Sequence, residues 1–284
     1  MLACIRHLGI PLALLFAAAL VGCTVNPATG KRELILISTE QEIAMGQEAA
    51  PEFEKEFGGR VSDDQLQAYV RAVGQKVAER CDRPLSYDFV VVASGTPNAF
   101  ALPGGKVFIT AGLVRLMENE RQLAAVLGHE ISHVVAKHNV KGMQRQMGAE
   151  LLLSLAGRVM AKGNQAETAQ AVAKIVAGVA TMKYSRDDEY QADSLGIRYM
   201  TRAGYNPWGM VELLNSLASL SAREPGRLAE MFQTHPLTSK RIAEATAAIQ
   251  NDPATRAFSA GAPDPGMATF QQMRRRLPTA PAAK

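Results

Sequence analysis

Three of the five histidines in this 284-residue chain fall within one short stretch, LGHEISHVVAKH, from Leu127 to His138. His129 and His133 stand four residues apart. On an α-helix such positions sit about 40° apart around the axis and roughly 6 Å apart along it, so the two rings project the same way. Two imidazole nitrogens at that spacing can reach one ion at about 2.0–2.1 Å, the distance that Zn²⁺ prefers. Glu130 lies about 100° round from His129, beside such an ion, where a carboxylate can take a proton from water that the ion activates. The pattern is the HExxH helix signature, and the chemistry it allows is metal-assisted hydrolysis.

A catalytic zinc takes three protein ligands and keeps a fourth position open, so two histidines are not enough. The stretch SRDDEYQAD, Ser185 to Asp193, offers Asp187, Asp188, Glu189 and Asp193, of which Glu189 and Asp193 share a helix face. One reading makes Glu189 the third ligand and Asp193 the carboxylate that orients His129. The other has these acids only favouring the positive end of a helix dipole. Spacing alone leaves both open.

Helices must carry these groups, and the chain supplies them. Ser38 three residues before Gln41 is a capping-box pattern that opens a helix closed by Gly58 and Gly59, with a bend at Pro51. Ser62 and Gln65 repeat the device ahead of the apolar stripe Leu66, Val70, Val73 and Val77. Tyr87 to Ser94 is rich in β-branched residues and reads as a strand, and NAFALPGGKVFIT reads as a hairpin turned at Pro103-Gly104-Gly105. Asn119 with Gln122 caps the helix that bears HExxH. Residues 141 to about 183 read as two helices joined near Lys162-Gly163-Asn164, forming either a flap beside the site or a packing hairpin. Charges interrupt every apolar run there, so a membrane span does not fit. A helix stopped by Gly204, another started by Asn206-Pro207 and a last one from Ser239 to Gln250 follow. The expected fold is α+β and mainly helical, with a small antiparallel sheet. From Pro253 onward Pro, Ala and Gly accumulate around Arg274-Arg275-Arg276, which reads as a loosely ordered, solvated tail over 253–284. On a continuing helix His138 lies about 140° round from His133 and faces elsewhere.

The 47% hydrophobic content supports a sizeable core. A net charge of +4 without long basic runs, together with 6% aromatics, argues against a nucleic-acid partner. Residues 1–22 have signal-peptide anatomy: Arg6 and His7, the apolar segment Leu8 to Val21, then small residues. The run LVGC ending at Cys23 resembles a bacterial lipobox, which makes Cys23 a lipidated terminus followed by a tether over 23–37. Thr24 at the next position favours the outer membrane. Cys81 is left without a disulfide partner and reads as a small buried hydrophobe.

Four blocks, NAFALPGGKVFIT, LGHEISH, SRDDEYQAD and FQTHPLTSKRI, stand in an order that resembles peptidase family M48 and its periplasmic branch of BepA-like and LoiP-like proteins. NPATGKRELILIS near the mature start is similar to that branch as well. The resemblance implies a gluzincin-type protease domain over 38–252, with His129, His133 and Glu189 as Zn²⁺ ligands and Glu130 as general base and acid. It implies Asp193 as the carboxylate behind His129. It places His235 near the metal, as oxyanion donor or as a fourth ligand that shuts the site, with Arg241 holding that segment. It also implies an edge strand at Asn98, Ala99, Phe100 and Ala101 on which an extended substrate pairs its backbone. The substrates it implies are misfolded or stalled envelope proteins in the periplasm. BepA-like proteins carry a tetratricopeptide domain after the protease and this sequence has none, so a single-domain arrangement is expected. The competing reading is a non-proteolytic, chaperone-like assembly lipoprotein whose zinc site is structural or closed.

Overall fold

The computed structural model describes residues 23–161 and 163–278. The expected leader over 1–22 and the side chain of Cys23 lie outside them. The stretch expected as a tether is folded. It opens as an antiparallel hairpin of β1 (Cys23–Val25) and β2 (Arg32–Leu34). Asn26 is buried and donates through Nδ2 to the Ala136 carbonyl at 3.1 Å, while Ile35 and Ile37 enter the core.

Helix α1 (Thr39–Glu56) starts with the expected capping box of Ser38 and Gln41 and runs through Pro51. Helix α2 (Asp64–Ala78) is capped by Asp63 rather than Ser62, its carboxylate accepting from the Leu66 N–H at 2.8 Å. Asp at this position caps as well as Ser does and adds a negative charge at the positive helix end.

Three strands follow: β3 (Asp88–Val92), β4 (Ala99–Leu102) and β5 (Lys106–Thr110), in spatial order β3–β5–β4. The β4–β5 hairpin is antiparallel as expected, but β3 pairs with β5 in parallel, so the sheet is mixed rather than antiparallel throughout. The cause is order. The chain leaves β3, runs out along the edge as β4 and turns back at Gly104, which has φ +78°, so β5 returns in the direction of β3.

Both faces of this sheet are covered, which is why its strands read as near-continuous apolar runs. Phe89, Val91, Ala101, Val107 and Ile109 face one core. Val90, Val92, Phe100, Leu102 and Phe108 face a second. The first core is closed by α2, the short α3 (Ala111–Leu116), α4 (Glu120–Val135), α8 (Arg186–Arg202), α9 (Trp208–Arg223) and α11 (Ser239–Asn251). The second is closed by α1, α5 (His138–Met147), α6 (Ala149–Ala161) and α7 (Gln165–Ala180). The segment 141–183 thus forms three helical pieces, broken at Gly148 with φ +81°, and α6 and α7 pack as a hairpin against α1. Cys81 is half-buried, its thiol donating to the Arg83 carbonyl at 3.1 Å.

Residues 253–278 are not a loose tail. The chain wraps back so that α12 (Met267–Arg274) inserts Phe270, 1% exposed, into the first core. Arg274 donates to the Met117 carbonyl at 2.5 Å, and Arg276 pairs with Asp63 at 2.9 Å. Polar, Pro-rich composition hides one well-placed aromatic and two arginines with partners.

Candidate active site

Helix α4 is buried from Arg121 to Val135, and Asn119 caps it as expected, accepting from the Gln122 N–H at 3.0 Å. It crosses α8 at a pair of glycines. A Cβ on Gly196 would lie 3.1 Å from the His129 nitrogen, and one on Gly128 would lie 3.3 Å from the Gly196 carbonyl oxygen. This close approach brings the acids of α8 against the histidines of α4.

Four side chains then converge. His129 Nε2 is 3.0 Å from His133 Nε2, His133 Nε2 is 3.3 Å from Glu189 Oε1, and His129 Nε2 is 3.7 Å from Glu189 Oε2. His235, which follows α10 (Ala229–Thr234), places Nδ1 3.1 Å from Glu189 Oε1 and 3.4 Å from His129 Nε2. Ligands about 2.05 Å from an ion at tetrahedral angles stand about 3.3 Å from one another. The donor atoms of His129, His133, Glu189 and His235 therefore mark the corners of a polyhedron of metal-binding size, and all four residues are buried. Glu130 Oε2, a buried carboxylate oxygen beside this cluster, has no hydrogen-bond donor.

Asp193 sits behind His129, Oδ1 to Nδ1 at 2.9 Å. Arg241 grips Asp193 with two hydrogen bonds at 2.7 and 2.8 Å, approaches Glu189 Oε2 at 2.5 Å and donates to the Pro236 carbonyl at 3.3 Å. It thereby fixes both acids and the segment after His235. Burial alone would raise the Glu189 carboxyl, but His235, Arg241 and His129 together hold it well below the ordinary glutamate range. Asp193 is lowered against its burial by Arg241 and the His129 bond. Burial raises Glu130 and pushes His133 well below the ordinary histidine value, so the His133 ring is neutral and able to ligate.

His138 does not face elsewhere. Its Nδ1 lies 3.0 Å from His133 Nδ1, and its Nε2 lies 2.8 Å from Gln191 Oε1 and 3.4 Å from Asp188. Helix α4 ends at Val135, Lys137 takes the left-handed conformation with φ 57°, and α5 starts in a new direction, so the angle for a continuous helix does not apply. A His133 whose Nε2 faces the centre with its lone pair carries its proton on Nδ1 and donates to His138, which in turn donates from Nε2 to Gln191. Tyr184 stacks on His133 with centroids 3.8 Å apart, and its N–H donates to the Thr234 carbonyl at 3.1 Å, next to His235. His138, Gln191 and Tyr184 escape the sequence because their roles depend on the turn at Lys137 and the entry into α8.

Strand β4 stands at the sheet edge beside α4, where an extended chain was expected to pair. Asn98, Ala99, Phe100 and Ala101 are all buried, however, and Asn139 Nδ2 already donates to the Ala101 carbonyl at 3.3 Å. The edge near Ala101 is thus engaged by the chain itself.

The comparisons with known proteins agree with this geometry. The family model for peptidase family M48 matches residues 64–249. The beta-barrel assembly-enhancing protease of Escherichia coli K12 is 30% identical over 191 residues, covering 65% of this chain and 39% of that protein. The Yersinia pestis protein of the same name is 29% identical, covering 77% of this chain and 46% of its own length. The mitochondrial metalloendopeptidase OMA1 of Schizosaccharomyces pombe is 29% identical, over 76% of this chain and 63% of that protein. The chain spans less than half the length of the beta-barrel assembly-enhancing proteases it matches here. With the matched stretch covering every residue of the buried His/Glu cluster and the helices that set it, the chain belongs to peptidase family M48.

Proposed function

We propose that this chain is a zinc-dependent endopeptidase of the bacterial cell envelope. The observation that carries the reading is the set of four buried side chains whose donor atoms all lie within 4.8 Å of one another, with an unpartnered Glu130 carboxylate oxygen beside them. His129, His133 and Glu189 would hold the ion; two imidazoles and a carboxylate with no thiolate suit zinc. When bound, zinc polarises the scissile carbonyl and lowers the pKa of water towards ~7. Glu130 takes the proton of the attacking water and delivers one to the leaving amine, so the chemistry runs without a covalent intermediate. Asp193 and His138 hold the two ligand rings in orientation from behind, and Arg241 keeps both acids ionised and placed. His235, whose Nε2 lies 3.9 Å from Glu130 Oε1, would donate to the developing oxyanion.

The envelope role rests on the bacterial relatives being beta-barrel assembly-enhancing proteases, which suits misfolded or stalled envelope proteins as substrates. An N-terminal leader and a lipidated Cys23 would anchor the enzyme to the outer membrane on its periplasmic side. Among the described residues no helix is long and apolar enough to cross a membrane.

One observation favours a second reading. His235 Nδ1 stands at the fourth corner, as in a closed or structural site with four protein ligands, which fits a non-proteolytic assembly factor. Glu130→Gln separates the two. The endopeptidase reading expects casein cleavage to fall at least about 100-fold while zinc content stays at one per chain. Equal cleavage by variant and wild type, unaffected by a chelator, would overturn it. His235→Ala then reports the resting state: a rise in activity marks an occluding ligand, and a fall of about 100-fold marks an oxyanion donor.

A further inference from the structure

The first hairpin of the chain turns an apolar face to solvent. Side chains alternate along β2, so Arg32 and Leu34 share one face, and Val25 of β1, which pairs with Arg32, lies on that face too. Val25 is 56% exposed and Leu34 53%, the two highest values among the large hydrophobic side chains of the described residues. Glu33, between Arg32 and Leu34, turns the other way: its Oε2 accepts from Lys141 Nζ at 2.9 Å and from Asn26 Nδ2 at 2.9 Å. A hairpin lying on a protein in water ordinarily keeps its apolar face inward and its charges outward. Here leucine and valine point out, the acid points in, and the exposed cations Lys31 and Arg32 adjoin the apolar pair.

The chain that enters the hairpin indicates what covers this face. Cys23, the residue that the lipobox pattern marks for lipidation, pairs directly with Leu34, and the apolar run Leu8 to Val21 precedes it in the sequence. An anchor at that point leaves no slack, because β1 begins at the anchored residue. We infer that the face of Val25, Arg32 and Leu34 rests on the lipid bilayer, with the two apolar side chains at the boundary of headgroups and acyl chains and with Lys31 and Arg32 on the phosphates of anionic phospholipid. The inference rests on the reading above that the chain is anchored to the outer membrane, and it adds how the molecule stands there. Apolar side chains beside lysine or arginine are the composition of surfaces that lie in a membrane interface, and the cations act on anionic lipid only within a Debye length of it. Two apolar side chains alone hold a protein weakly; next to an anchor they set its orientation.

The hairpin is bolted to the rest of the fold. Asn26, 1% exposed, also donates to the Ala136 carbonyl at 3.1 Å, just past the end of α4, and Lys141 belongs to α5. Helix α4 has 16 residues and is thus about 24 Å long. At its opposite end the Arg121 N–H donates to Asp264 at 3.0 Å and Arg274 of α12 to the Met117 carbonyl. The docked molecule therefore holds α12 away from the lipid, while His133, in the last turn of α4, stands at the membrane-side end of that helix.

The test reconstitutes the full chain into vesicles of phosphatidylethanolamine and phosphatidylglycerol that carry a brominated phosphatidylcholine, which quenches tryptophan on contact. Leu34→Trp and Val25→Trp replace exposed side chains, and the emission that each adds to that of native Trp208 is expected to fall at least about twofold, more with bromines near the headgroups than with bromines at the bilayer centre. Met267→Trp, at the far end of α4, should keep its emission. Adding Lys31→Glu and Arg32→Glu to Leu34→Trp should restore most of what was lost. A chain that floats with the vesicles while Leu34→Trp and Val25→Trp stay bright overturns the docking face and leaves the anchor standing. A chain that does not float overturns the anchoring reading and the docking with it. Quenching of Met267→Trp equal to that of Leu34→Trp would show that no one face meets the lipid, and overturns the proposal. So does Leu34→Trp emission that shifts with protein concentration in the absence of lipid, which would mark a second copy of the chain as the occupant.

Discussion

Each ring proposed as a ligand, His129 and His133, has a partner behind it, and the two partners differ in kind. Asp193 brings a charge to His129, and Arg241 balances that charge at 2.7 and 2.8 Å. His138 brings a neutral acceptor to His133. Groups of this sort fix the tautomer and the ring angle, and their loss typically weakens metal binding 10–100-fold. His138→Ala is therefore expected to weaken zinc binding by about that factor in a competitive chelator titration, with little change in far-ultraviolet circular dichroism. Unchanged affinity would show that Tyr184 stacking alone orients His133. Helix periodicity in the sequence puts His129 with His133 and Glu189 with Asp193 on shared faces, whereas the choice of Glu189 and Asp193 among the four acids came from the family resemblance and not from spacing. His138 was not legible, since one left-handed residue at Lys137 resets the direction of the chain and no periodicity reports that.

What lets α4 and α8, the helices of the His/Glu cluster, approach closely is the absence of side chains where they cross. Gly196 lies against α4 so closely that any Cβ there meets the His129 backbone nitrogen at 3.1 Å and the Met210 methyl at the same distance. Gly196→Ala is expected to part α4 from α8 by a few tenths of an ångström, costing about 1–3 kcal/mol in urea denaturation and weakening zinc binding alongside. A stability change without a metal effect would place the ligands' alignment elsewhere. Helix caps were legible where a single side chain decides them, as at Ser38 and Asn119, and slipped by one residue where Ser62 and Asp63 compete. The direction of β3 relative to β5 was not legible, because alternation within a strand says which face is buried and nothing about which neighbour it meets.

Across the molecule, the sequence hid its closing contact. Phe270, 1% exposed on α12, ties the chain's last described turns to the first core, whereas its surroundings are rich in Pro, Gly and Ala. Phe270→Ala should cost about 3–5 kcal/mol of stability, read by thermal or urea unfolding, if the aromatic is as much a part of the core as its burial shows. A loss under about 1 kcal/mol would mean that the segment detaches freely in solution.

A three-stranded sheet lies between the two hydrophobic cores, and the helices that bear the His/Glu cluster belong to the first of them. The layer of α6 and α7 leaves Leu151, Leu153 and Met160 more than a third exposed, while α4 is enclosed along its length. Amide hydrogen exchange should therefore separate into two cooperative groups, with α6 and α7 opening first and α4 and α8 exchanging only through global unfolding. A molecule built this way can loosen one flank and still keep the His/Glu cluster closed up.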